Sequence, residues 1–399
     1  MITYRQALDL ILALPFDAGM DMCPLLDSVD RFLAEPVGAP WPMPRFDNSS
    51  MDGFAARAED LHDATTDHPA RLSIVGESAA GRAFAGEAAP RTAIRISTGA
   101  PVPPGYDAII PIENARLVGE RDVEFPAPAV AGRYIRRRAS DVAEGQALFA
   151  RGARVTPAVL AFLASFNIPA VRVARRPRVA ILTGGDEIVA HGAPLGEGQI
   201  VGSSLYYLDA ELRACGCEPR VFGIARDHLP DLRALFSEAL AWGDILVTTA
   251  GVSVGPHDLM GRVVEELGGT TILHQVAIRP GKPMLVATYG AKVHFGFPGN
   301  PVSTCCNFEI FLKPFLRRAF GIEPTVRPTE TRIAAGRFDA DPRRLFFVYT
   351  IIDGDTARPL PNQNSANLLL PAMANALAII KPGDTVETGE AVEVLRVGE

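Results

Sequence analysis

Between residues 176 and 320, short apolar runs alternate with segments of helical pattern. "RVAIL", "PRVFGI", "DILVTT" and "KVHFGF" read as strands. "SSLYYLDAELRACG", "PDLRALFSEALA", "HDLMGRVVEELGG" and "PVSTCCNFEIFLKPFLRRAF" read as helices. The first helix starts on Ser and ends at Gly216, and the third ends at Gly268. This alternation predicts a mainly parallel sheet with helices on both faces. In such a sheet ligands bind outside the carboxyl ends of the strands.

Unusual loops follow the strands. They are "TGGDE" (183–187), "ARD" ending at Asp227, "AGVSVGPHD" ending at Asp258, and "PGNPVS" (298–303). Gly251 and Gly255 let backbone N–H groups approach a ligand, and Ser253 adds a hydroxyl. After Pro298 and Gly299, Asn300 is expected to cap a helix that has Pro301 at its first position and Ser303 in its first turn. That helix start would offer free N–H groups to an anion. Nearby "RPGKP" offers the full charges of Arg279 and Lys282. Asp186, Glu187, Asp227 and Asp258 put carboxylates beside these anion sites. Either Mg²⁺ lies between carboxylate and phosphate, or a carboxylate acts as general base on water.

Each feature also has a plainer explanation. A Gly-rich turn can be only a turn, and Asp227 can cap the helix that begins near Pro230. Asp47 and Asp52 in "FDNSSMDG" suit Asx turns. The run "RRR", with Arg137 at its centre, is by default a solvated patch. The collection of four such loops on one edge is what favours a site.

A chain of 399 residues predicts two to four domains. Its formal charge of −7 argues against nucleic acid but leaves room for a local positive pocket. The five cysteines form no C-x-x-C pair, which points to reduced thiols and a cytoplasmic protein. A zinc site at Cys215 and Cys217 lacks a second ligand pair. "MITYRQALDLILALPFD" reads as an amphipathic helix, and no stretch approaches the length of a membrane span. Its stripe runs through Ala7, Leu8, Ile11 and Leu14. Short β-like runs fill residues 70–130 and return over 325–399. "TPAVLAFLASFNI" (156–168) reads as a helix lying beside the N-terminal one, which would make the first β unit an insertion.

The set "PRFDNSSMDGFA", "IRISTGAPVPPGYDAIIPIE", "IRRRASDV", "LTGGDEI", "GIARD", "AGVSVGPHD", "RPGKP" and "FGFPGNPVS" resembles the MoeA/gephyrin E-domain family of molybdopterin molybdenumtransferases. The motifs run in order to about residue 320 and more weakly beyond. The resemblance implies a multidomain α/β plus β fold. A MogA-like molybdopterin-binding α/β domain would span 176–320, an inserted small β domain 46–139, a discontinuous linking domain 1–45 with 140–175, and a C-terminal β domain 321–399. It implies a homodimer that takes adenylylated molybdopterin, releases AMP with Mg²⁺, and places molybdate on the dithiolene. Asp52 and Thr98 would then come from the second subunit. Asp186, Asp227 and Asp258 would hold the cation, with Glu187 beside them. Arg137, the glycine turns, Arg279, Lys282 and the 298–303 loop would bind substrate. A molybdopterin adenylyltransferase and molybdoenzymes are the implied protein partners.

The sequence also departs from the family pattern. Ser203 and Ser204 follow Gly202 where Asp-Ser/Thr-Asn is usual. Ala250 replaces a Gly, Gln275 a Lys, and Arg279 a Lys. In the family's register Tyr349 and Leu370 stand where an Arg and a Ser are expected. Several of these changes fall where family members would bind molybdate or ribose, so the resemblance supports substrate cleavage better than metal insertion. The alternative is a divergent paralogue that carries the pterin without inserting metal; a scaffold is the third reading.

Overall fold

The computed structural model describes residues 1–226, 228–251 and 259–398. They fall into two compact units, one of residues 1–35, 151–161 and 168–399, the other of residues 36–150 and 162–167.

The first unit is built on a six-stranded sheet. Its strands are β1 (Arg178–Gly184), β2 (Glu218–Ala225), β3 (Ile245–Thr249), β4 (Thr270–His274), β5 (Leu285–Tyr289) and β6 (Lys292–Phe297). They lie in the order β2-β1-β3-β6-β5-β4. β2, β1, β3 and β6 are parallel, and β5 runs antiparallel to β6 and β4. β4 and β5 went unseen as strands in the sequence. They extend the parallel sheet by a hairpin-like pair on either side of "RPGKP".

Side-chain alternation along the strands feeds two cores. Ala180, Leu182 and Leu246 pack with Leu232 and Phe236 of α2 (Leu229–Trp242) and Val263 of α3 (Leu259–Glu266). Val179, Ile181 and Val247 face α1 (Ser203–Ala214), α4 (Pro301–Asn307) and α5 (Lys313–Phe320). The helix expected over 301–320 is continuous, with a π-helical stretch, Phe308–Leu312, between α4 and α5.

The N-terminal helix Tyr4–Leu12 is closed by a capping box between Thr3 and Gln6 and buries Ala7, Leu8 and Ile11. The rings in its neighbourhood belong to the other end of the unit: Tyr4 meets Phe311 and Phe347, and Phe16 meets Phe315. Its placement beside the 156–168 segment is therefore replaced by packing on the α/β layer and the C-terminal sheet. That C-terminal sheet has six strands, and one of them, Ile278–Arg279, is lent by the α/β region. It pairs in parallel with Leu345 and Phe346.

The second unit holds a mixed six-stranded sheet that contains Gly53–Ala56, Ala70–Ser78 and Thr92–Ile96, with a small apolar core on each face. Among the described residues no helix is long and apolar enough to cross a membrane.

His294 on β6 is fully buried, and its Nε2 lies 2.9 Å from Thr248 Oγ1. Burial pushes its pKa down to about 3. The unfolded chain therefore binds a proton in the window between the ordinary value near 6.5 and about 3, and the folded chain does not. Stability from this group is complete above the window and falls as pH drops through it. At pH 5 the loss is about 2 kcal/mol, from ~1.5 pH units at ~1.36 kcal/mol each. Urea unfolding at pH 7 and pH 5 should show wild type losing about that much more than His294→Gln. Equal losses would contradict this assignment.

Candidate functional site

The chain leaves β1 toward β2, then returns across β1 to build β3. The connections from β1 and β2 thus diverge between β1 and β3, which opens a crevice at their carboxyl ends. Thr183, buried near the end of β1, pairs with Thr249, the last residue of β3. Thr249 Oγ1 donates to Thr183 Oγ1 at 2.7 Å, and Thr183 Oγ1 donates to the Thr249 carbonyl at 3.2 Å. This closed pair satisfies two hydroxyls at the floor of a cleft of about 760 Å³.

That cleft gathers Glu187, Gly251, Pro298, Gly299 and Asn300, together with Ser203, Ser204 and Ala250. Its walls are otherwise largely apolar, with Ile188, Ile200, Leu205 and Leu368. Gly185 makes room for the acid: at φ +131, a Cβ there would stand 2.6 Å from Glu187 Oε2. Ala250, the residue in place of a glycine, sits at φ 72, a conformation costing a non-glycine about 1–2 kcal/mol.

A second cleft of about 610 Å³ adjoins the first and shares Pro283 and Asn300 with it. It brings Arg279 and Lys282 of one turn to Ser303 of the other. The two anion-suited turns thus line one cavity. Gly281, at φ 95, lets the first turn lie on buried Asn307, whose Oδ1 would be 2.1 Å from a Cβ at that position. Asn307 Nδ2 donates to the Gly281 carbonyl at 3.2 Å.

Arg344 is a cation of this cleft that the sequence did not reveal. It arrives because Leu345–Phe346 pairs with Ile278–Arg279. The Arg279 guanidinium lies 4.3 Å over the Phe346 ring. Beneath both arginines is Asp341, only 4% exposed. The Arg344 guanidinium, with the N–H groups of Arg343 and Arg344, holds its carboxyl below the usual carboxylate range against the opposing effect of burial. Asn362, Asn364 and Ser365 complete the rim.

Several expectations change. Asn300 does not cap α4 with its side chain; its Nδ2 donates instead to Ser365 Oγ at 3.0 Å. Nor does the helix start leave its first N–H groups free. Pro301 has none, the Val302 N–H goes to the Ser365 carbonyl, and those of Ser303 and Thr304 go to the Asn300 carbonyl. The positive character of the cleft therefore comes from side chains. Tyr349 and Leu370 do not occupy the oxyanion end: they are 3% and 2% exposed within the core. The Tyr349 hydroxyl donates to the Val302 carbonyl at 3.0 Å, and Gln363 binds both the N–H and the carbonyl of Tyr349. Tyr349 is a strut between α4 and the rim loop.

Asp186 faces another depression, with Arg226 and His228, which shares Ile188 with the cleft that Glu187 lines. Asp52, Thr98 and Arg137 lie in the other unit. There Asp52 Oδ1 accepts the Thr98 N–H at 2.7 Å, and Arg137 donates to Asp47 at 2.6 Å. These bonds join distant segments, in place of the Asx turns considered for Asp47 and Asp52. Asp227, Ser253, Gly255 and Asp258 lie outside the described residues.

Three family models match along the chain: the MoeA N-terminal region (domain I and II) over residues 2–167, a probable molybdopterin binding domain over 180–318, and the MoeA C-terminal region (domain IV) over 331–397. A molybdopterin molybdenumtransferase of Nostoc sp. is 34% identical over 377 residues, 92% of this chain and 86% of the relative. One from Bacillus subtilis is 34% identical over 384 residues, 94% of this chain and 89% of its own. The crystal structure of a molybdopterin biosynthesis MoeA protein from Pyrococcus horikoshii superposes with a TM-score of 0.90 at 30% identity, covering 99% of each chain. With two adjoining clefts on the expected strand edge and matches from end to end, the chain belongs to the MoeA family of molybdenum cofactor biosynthesis.

Proposed function

We propose that the chain is a molybdopterin molybdenumtransferase that takes adenylylated molybdopterin and molybdate, releases AMP, and exchanges oxygen ligands of the metal for the two dithiolene sulfurs. The observation that carries this reading is a cation-lined cleft adjoining a larger, less charged one. The larger cleft suits an organic substrate: its volume of about 760 Å³ lies within the usual range for such sites. The smaller one suits a compact oxyanion. Arg279 and Arg344 offer planar forks and Lys282 a point charge. Asn300 and Pro283, at the junction, place the oxyanion end against the organic end.

Cleavage of the phosphoanhydride by water breaks a P–O bond and lets AMP leave. Among the described residues Glu187 is the carboxylate that faces the larger cleft, where it can orient or deprotonate that water. Mg²⁺ would supply charge neutralisation for the phosphates. Among the described residues no group of three or more His, Cys, Asp or Glu could hold a metal ion. Mg²⁺ is usually held by one or two carboxylates with water and phosphate oxygens, and Asp227 and Asp258 are the carboxylates proposed for it. A homodimer and cytoplasmic placement belong to the same proposal.

The reading is tested by supplying adenylylated molybdopterin, Mg²⁺ and molybdate. AMP and metal-loaded cofactor should both appear. Pterin binding without AMP release would instead favour the carrier. Lys282→Gln should weaken molybdate binding by about ten- to a hundredfold, the equivalent of one charged hydrogen bond. Unchanged affinity would remove the smaller cleft from the mechanism. Tyr349→Phe separates strut from ligand. It should cost about 1 kcal/mol in thermal or urea unfolding, with molybdate affinity within about twofold of wild type. A loss of affinity like that of Lys282→Gln would show that Tyr349 does serve the oxyanion.

A further inference from the structure

We infer that Asp341 is the positioning residue of the oxyanion cleft, holding Arg344 and Arg279 in register before the anion arrives. The inference rests on the reading of that cleft given above.

A carboxylate beneath an anion site is electrostatically adverse, so it calls for a compensating role. The geometry supplies one. Asp341 Oδ1 accepts the backbone N–H groups of Arg343 and Arg344, each at 3.0 Å. Its Oδ2 accepts Arg344 Nη2 at 2.7 Å and Nε at 3.2 Å. Arg279 Nη1 stands 3.8 Å from the same oxygen. The backbone of Asp341 is itself held, since the Gly383 N–H donates to the Asp341 main-chain carbonyl at 2.9 Å. One buried carboxylate therefore grips the backbone and side chain of one arginine and orients a second, which comes from a different segment.

Both arginines remain partly open to solvent, with side-chain exposures of 32% for Arg344 and 43% for Arg279. They keep donors for a ligand while their own motion is restricted. A free arginine loses about 2 kcal/mol of rotamer freedom when a ligand immobilises it. Arginines already held lose less, which raises affinity by preorganisation. The carboxylate also sets the charge. Three cations, Arg279, Lys282 and Arg344, stand against one carboxylate, which leaves a net charge of two to face a dianion.

The two roles of Asp341 oppose each other, so the sign of one substitution separates them. Molybdate is titrated calorimetrically into full-length wild type, Asp341→Asn, Arg344→Gln and the double variant. Positioning predicts about tenfold weaker binding in Asp341→Asn although a negative charge has gone. It also predicts that the same substitution weakens binding much less once Arg344 is absent, because only the contact to Arg279 then remains to oppose the charge effect. In turnover the KM for molybdate should rise, with kcat and the KM for adenylylated molybdopterin unchanged. If Asp341→Asn lowers the melting temperature below the assay range, Asp341→Glu carries the test, since it keeps the charge and alters the reach. Weaker binding in Asp341→Glu supports the inference. Equal or tighter molybdate binding in Asp341→Asn, or unchanged affinity in Asp341→Glu, overturns it. Absence of molybdate binding to wild type overturns the reading of the cleft itself, and the inference with it.

Discussion

A two-residue strand pairing organises the site. Ile278 and Arg279 leave the α/β sheet and join the C-terminal sheet beside Leu345 and Phe346. This pairing places Arg279 next to Asp341 and Arg344, and it sets the rim loop 362–365 across from Lys282. The rest of the seam reinforces it. Asn300 reaches Ser365, the Val302 N–H reaches the Ser365 carbonyl, and Tyr349 reaches the Val302 carbonyl. Each of these bonds joins the α4 start to the C-terminal sheet or its rim loop. The smaller cleft is therefore the product of two folded layers meeting, and neither layer supplies it alone.

This arrangement explains how a chain of net charge −7 can hold an oxyanion. Net charge governs long-range behaviour, whereas a cleft with low-dielectric walls concentrates the field of the few charges that line it. Arg279, Lys282 and Arg344 act at contact range, and their partner acid is turned inward and already bonded. In the neighbouring cleft the order is reversed. Glu187 faces a mostly apolar space whose floor hydroxyls, Thr183 and Thr249, are occupied with each other. The two halves of the site thus differ in charge as their proposed substrates do.

The larger cleft was mostly legible in the sequence, because strand-end loops of a parallel sheet must share an edge. Glu187, Gly251, Pro298, Gly299 and Asn300 meet there for that reason. What failed to show was anything set by contact between layers. Arg344 could not be brought to Arg279 without the pairing of two short strands far apart in sequence. Asn300 has the composition of a cap, but its side chain found Ser365. Tyr349 and Leu370 looked like altered ligands only in a register that their burial does not support. β4 and β5 were hidden because the apolar runs "TTILH" and "LVATY" flank a Pro- and Gly-rich turn that reads as loop. The N-terminal helix was legible as a helix, but its neighbours were not, since an amphipathic stripe carries no address.

The account's central claim is that one oxyanion binds where the lent strand meets the C-terminal sheet. Crystals soaked in molybdate and measured at the molybdenum absorption edge test this directly, because anomalous scattering locates the metal without reference to the surrounding chain. The account predicts one dominant peak within bonding reach of Arg279, Lys282 and Arg344. A dominant peak elsewhere, or none at a concentration that saturates the protein in solution, would contradict it.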